Sequence, residues 1–140
     1  LFRSAGVWVA LEDISPQAGP LSIVPRSHKS PITMPEDLGI RKLPITVSQI
    51  KDNYSIYEKY VSDYISSNKL EIFTPSLRRG QAIVWAANLF HGATEIMNPD
   101  LTRYSQVTHY HFEGCEFFYN PNFSSRNRYV HRDIEDSRII

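Results

Sequence analysis

Apolar and polar positions change their period along this chain, and the changes divide it into elements. Val7-Trp8-Val9-Ala10-Leu11 is a short apolar run of β-branched and aromatic residues, which predicts a strand. The stretch 13–19 carries Pro16 and Gly19 and reads as a turn. Leu21-Ser22-Ile23-Val24 predicts a second strand, closed by Pro25. Pro31, Pro35, Gly39 and Pro44 then mark an irregular loop or lid over 30–44. From there Val47, Ile50, Tyr54, Tyr57, Val61 and Tyr64 recur at spacings of three and four, one face of an α-helix over 47–65. Thr46 and Gln49 have capping-box spacing, and Tyr60 lies off the stripe. This helix is expected to pack against a sheet by its aromatic stripe. Further on, 70–73 predicts a short strand, 78–80 a turn, 82–86 a buried strand and 88–98 a loop. The segment 102–112 alternates. Tyr104, Gln106, Thr108, Tyr110 and Phe112 fall on one face, and Arg103, Ser105, Val107, His109 and His111 on the other. Short strands separated by turns, with one clear helix, predict an antiparallel sandwich or barrel rather than a parallel α/β fold.

The length of 140 residues suits a single domain, 1–140, with 30–68 as a lid and helical insert. A composition 41% hydrophobic and 21% charged can build a core, which excludes a disordered chain. Fifteen Lys+Arg balance fifteen Asp+Glu, so no net charge draws the whole molecule to nucleic acid or to an anionic membrane. No apolar run approaches the ~20 residues of a membrane span. The one cysteine, Cys115, excludes an internal disulfide framework and a multi-cysteine zinc site. A reduced thiol and the lack of a basic-then-apolar leader make a cytoplasmic location the expectation. The chain opens at Leu1, and 2–9 already read like the interior of a domain, so a truncated domain is expected.

The candidate chemistry gathers late in the chain. His91 follows an apolar strand and precedes Gly92, a place where a rigid sheet can aim an imidazole into a cavity. Such a histidine serves either as a hydrogen-bonded structural residue or as a metal ligand. Arg103 opens the next long strand and could clamp a carboxylate in a bidentate pair. An arginine buried without a partner is costly, which favours a bound anion over an idle side chain. Ser105 shares the face of Arg103 and could donate to the same carboxylate.

Two ordered segments carry a family resemblance. The first is Val7-Trp8-Val9-Ala10-Leu11-Glu12-Asp13-Ile14-Ser15, followed by Gly19-Pro20-Leu21-Ser22-Ile23-Val24-Pro25-Arg26-Ser27-His28-Lys29. The second is Arg79-Gly80-Gln81-Ala82-Ile83-Val84-Trp85, then His91-Gly92-Ala93, Asn98 and Arg103-Tyr104-Ser105. In these the chain resembles the phytanoyl-CoA dioxygenase-like branch of the Fe(II)/2-oxoglutarate oxygenases. The resemblance implies a double-stranded β-helix, or jelly roll, here incomplete and with one amphipathic helix in an insert. It implies Fe(II) and 2-oxoglutarate as cofactors and hydroxylation of a small organic substrate. His91 matches the distal iron ligand. Arg103, and less directly Ser105, matches the site for the far carboxylate of 2-oxoglutarate. His28 matches a Ser-His pair that ties a turn. The metal centre implied is a 2-His-1-carboxylate triad with open positions.

The departures are specific. Arg26 stands where the family has glycine, and Ala93 where a serine is frequent. The family's His-x-Asp motif lies upstream of the segment matched by Val7-Trp8, and no His, Asp or Glu precedes Val7. This chain is therefore expected to be a fragment lacking two iron ligands, with exposed sheet edges that favour self-association. The one His-x-Asp triplet, His131-Arg132-Asp133, stands at the opposite end of the chain. His109 and His111 are expected to pack or to hydrogen-bond behind the metal site. The rival to an oxygenase is a non-catalytic jelly-roll module that binds a small carboxylate through Arg103. A cupin-type centre would need two more ligands from His109, His111, Glu95, Glu113 or the tail.

Overall fold

A computed structural model describes residues 4–33, 35–40 and 46–111. The expectations for Cys115, Glu113, His131 and Asp133 lie outside the described residues, as does part of the 30–44 loop.

The apolar run at the start becomes strand β1 (Ser4–Ala10), the centre of a three-stranded antiparallel sheet. It is flanked by β3 (Ala82–Ala86) and β5 (Ser105–His111). A second, two-stranded antiparallel sheet joins β2 (Leu21–Ile23) to β4 (His91–Ala93). Register fixes what faces inward. Gly6 pairs with Trp85 and His109, Trp8 with Ile83 and Val107, and Ala10 with Ser105. Directly paired residues share a face, so Ser105, Val107 and His109 lie on the face of Trp8 and Trp85, as the alternation predicts.

Trp8, Ala10, Ile14, Leu21 and Trp85 form the core, with Ile23, Leu77, Ile83 and Leu89 packed against it. Residues of both sheets enter this one cluster, so the sheets share a core. Close approach at Gly6 makes the packing possible. A Cβ on Gly6 would lie 2.5 Å from the Trp85 indole, so only glycine lets the ring rest over β1.

The helix is α1 (Val47–Ser67), and its capping box forms as predicted. Gln49 N donates to Thr46 Oγ1 at 3.2 Å and Thr46 N to Gln49 Oε1 at 3.1 Å. Other expectations are corrected. The helix does not pack on a sheet: none of its residues is buried, and Tyr64 instead meets Phe90 in the β3–β4 connection. Tyr60, off the predicted stripe, is the tie that matters, its hydroxyl 2.6 Å from that of Thr33. The stretch 70–73 is extended but makes only one bridge, Phe73 to Ile23, because β2 is too short to pair further. Conversely, the predicted loop 88–98 contains β4, held by Thr94 N donating to Pro20 O and by pairing with β2. Glycine at its centre hid that strand from pattern reading.

Candidate active site

His91 stands in β4, and Arg103 lies two residues before β5. His91 opens β4 opposite Ile23, and its ring lies against the buried Trp85 indole, centroids 4.8 Å apart and planes tilted by 41°. Its Nδ1 is 2.8 Å from the carbonyl oxygen of Leu89. A carbonyl only accepts, so Nδ1 carries the proton and Nε2 keeps its lone pair. That is the tautomer a metal ligand needs, set by a backbone carbonyl behind the ring.

Arg103 precedes β5 and follows the inner-face alternation through Ser105. Glu12 pins the segment on either side of it. Thr102 Oγ1 donates to one Glu12 carboxylate oxygen at 2.9 Å, and Tyr104 N to the other at 2.6 Å. The Arg103 Nη1 group donates to the carbonyl oxygen of Gly19, at the end of β2. Gly19 has φ 67°, a left-handed conformation that glycine adopts freely. Arg103 therefore ties the segment before β5 to the turn before β2. The expectation that Arg103 opens the strand is corrected, since β5 begins at Ser105, and Arg103 is exposed rather than deep. Among the described residues, both His91 and Arg103 are exposed. Ser105 is half-buried opposite Ala10.

Sequence reading passed over three features. Ser27 is buried and its Oγ accepts from Phe90 N at 2.8 Å, while the His28 side chain beside it is exposed. Of the Ser-His pair, the serine makes the tie. Thr94 has a buried hydroxyl with no partner, but it alternates away from His91 along β4 and so does not extend the same site. A ladder of rings, Tyr57–Tyr60–Tyr64–Phe90, runs from the helix to the residue before His91, with successive centroids 6.5, 5.9 and 5.7 Å apart. Beside it lies an open groove lined by Leu38, Ile56, Tyr60 and Tyr64 among others. Burial, then the neighbouring Tyr60 and Tyr54, pushes the Tyr57 phenol above its ordinary pKa. Spacing of three and four along the helix was the available signal for the ladder; nothing in the sequence signalled Phe90 as its end.

The family model for phytanoyl-CoA dioxygenase (PhyH) matches residues 2–105, a span that includes His91, Arg103 and Ser105. The chain belongs to the phytanoyl-CoA dioxygenase family. The cofactors of this family's chemistry are Fe(II) and 2-oxoglutarate. A crystal structure of EctD from S. alaskensis with bound Fe is similar at a TM-score of 0.47 and 20% identity, over 77% of this chain and 30% of that one. The chain thus spans under a third of that protein's length. No curated protein matches the chain. No helix among the described residues is long and apolar enough to cross a membrane.

The family's iron fits the described residues only in part. His91 offers one suitable nitrogen, but no three His, Cys, Asp or Glu side chains among the described residues come together to hold a metal ion. The described residues do not complete an iron centre by themselves.

Proposed function

We propose that the chain is part of an Fe(II)/2-oxoglutarate dioxygenase that hydroxylates a small organic substrate. In this reading it is a jelly-roll domain with 30–68 as lid and insert. His91 supplies one iron ligand through Nε2. Arg103 binds the far carboxylate of 2-oxoglutarate, with Ser105 beside it on the same strand face. The remaining iron ligands come from outside the described residues. The observation that carries the reading is the Nδ1 contact of His91 with the Leu89 carbonyl inside a family match that also contains Arg103. A histidine held this way presents a lone pair, and an exposed arginine can offer charge to a carboxylate. The work of these residues is to bind and orient; iron and 2-oxoglutarate, when bound, supply the oxidative chemistry.

The test is an anaerobic titration with Fe(II) and 2-oxoglutarate, following the visible charge-transfer band of the chelate. In the intact protein, with the ligands that lie outside the described residues, the reading predicts a band that vanishes in His91→Ala. In Arg103→Ala it should need about tenfold or more 2-oxoglutarate, because the carboxylate loses a charge-assisted pair. A band of full strength in His91→Ala contradicts the iron assignment. The absence of three clustered metal-binding side chains among the described residues favours a second reading, a metal-free module that binds a small carboxylate through Arg103. No band, together with 2-oxoglutarate binding that Arg103→Ala abolishes, supports that alternative.

A further inference from the structure

The peptide unit joining Leu89 to Phe90 is held from both sides. Its N–H, on Phe90, donates to Ser27 Oγ at 2.8 Å. Its carbonyl, on Leu89, accepts from His91 Nδ1 at 2.8 Å. A trans peptide is planar, with its N–H and C=O pointing in opposite directions, so orienting one orients the other. Hydrogen bonds in series through a peptide also polarise one another, which makes the carbonyl a stronger acceptor. Ser27 is 3% exposed and is the one buried polar residue among those described. It is fixed in turn by the short 3-10 turn Ser27–Lys29, entered through Arg26 in a left-handed conformation at φ 69°. Val24 N donates to the Phe90 carbonyl at 2.9 Å, which holds the next peptide unit as well. A second bond, Asn88 Nδ2 to the His28 carbonyl at 2.7 Å, joins the same turn to the same connection without touching the Leu89–Phe90 unit.

We infer that Ser27 is a positioning residue for His91. Its hydroxyl sets the plane of the Leu89–Phe90 peptide, the Leu89 carbonyl then holds the proton on Nδ1, and Nε2 is left as the free lone pair. The inference rests on the dioxygenase reading only for the use made of that lone pair; the tautomer itself is independent of metal.

The experiment is metal-free. Histidine-15N-labelled protein is examined by long-range proton–nitrogen NMR, whose ring-nitrogen signals distinguish the two neutral tautomers from each other and from the imidazolium. The wild type should show His91 as the Nδ1–H form. In Ser27→Ala the ratio of Nδ1–H to Nε2–H should fall on the order of tenfold, the worth of one net hydrogen bond. Ser27→Thr, which keeps the hydroxyl, should restore it. Asn88→Ala removes the neighbouring tie and should leave it unchanged. Ser27→Cys, a weaker acceptor of similar size, should give an intermediate ratio, and it decides the matter if the alanine variant does not fold. An Nε2–H form in the wild type overturns the assignment. So does an unchanged ratio in the folded alanine or cysteine variant, or a shift in Asn88→Ala as large as in Ser27→Ala. A tautomer that responds as predicted, in an intact protein that carries its remaining ligands and still forms no iron chelate, would retain the role of Ser27 and reject the dioxygenase reading.

Discussion

The two-sheet body and the helix α1 are stabilised by opposite means. The body is built from distant partners: Trp8 and Trp85 are 4% and 5% exposed, and β1 pairs with strands from far along the chain. The helix has no buried residue and is held by local bonds with a few outside ties, Tyr60 to Thr33 and Tyr64 to Phe90. It has a capping box, the Lys59–Asp63 pair one turn apart, and a ladder of tyrosines that touches the body at Phe90. Such local terms are each worth a kcal/mol or less, whereas a core tryptophan is worth several. The difference teaches where the site gets its precision. His91 stands in β4 and Arg103 just before β5, so both belong to the body and neither to the helix.

The largest predicted effect breaks the body. Trp85→Ala should cost about 3–5 kcal/mol in denaturant unfolding and free the His91 ring. A loss below about 1 kcal/mol would mean that the core does not centre on this residue.

A smaller effect acts at the turn that grips the site. Arg26 is held at φ 69°, and it stands where the family resemblance places glycine. Arg26→Gly should stabilise the body by about 1 kcal/mol, by relief of the left-handed strain. Unfolding midpoints check it, and a destabilised variant would show that the arginine side chain contributes contacts of its own.

Thr46→Ala should cost about 1 kcal/mol and act on the helix alone. Hydrogen exchange should quicken over the first turns of α1 and stay unchanged in β1. Equal loosening of both would make body and helix one cooperative unit.

The last effect separates the regions by pH. The Tyr57 pKa in the folded protein lies above the ordinary value of 10.0, chiefly through burial. A raised folded pKa means that its contribution is complete below pH 10.0 and is lost as pH rises through the folded value. Alkaline titration should therefore release the helix, seen in tyrosine absorbance and in lost contact with Phe90, before the body unfolds. Simultaneous loss of both would contradict the separation.

Much of the body was legible because burial imposes its pattern on short strands. The run around Trp8 and the alternation leading from Arg103 through Ser105 and Val107 gave both strands and the shared inner face. The Thr46–Gln49 cap was legible because a capping box is local. What escaped the sequence was long-range. The β2–β4 pairing depends on residues far apart, and Gly92 gives it no side-chain signature. The tie from Ser27 to Phe90 joins positions that no periodicity relates. Resemblance singled out the Ser-His pair; only the hydrogen bonds show that the serine, not the histidine, reaches the site.

The central claim is that His91 and Arg103 form one site for a metal and a dicarboxylate. A direct test is the paramagnetic broadening of amide signals by sub-stoichiometric Mn(II), with and without 2-oxoglutarate, which reads even an incomplete metal site. The account predicts broadening centred on His91 and Gly92 and extending to Ile23, strengthened by 2-oxoglutarate, lost in His91→Ala, and deaf to 2-oxoglutarate in Arg103→Ala. Broadening centred on surface carboxylates such as Asp63, and unchanged in His91→Ala, would contradict it.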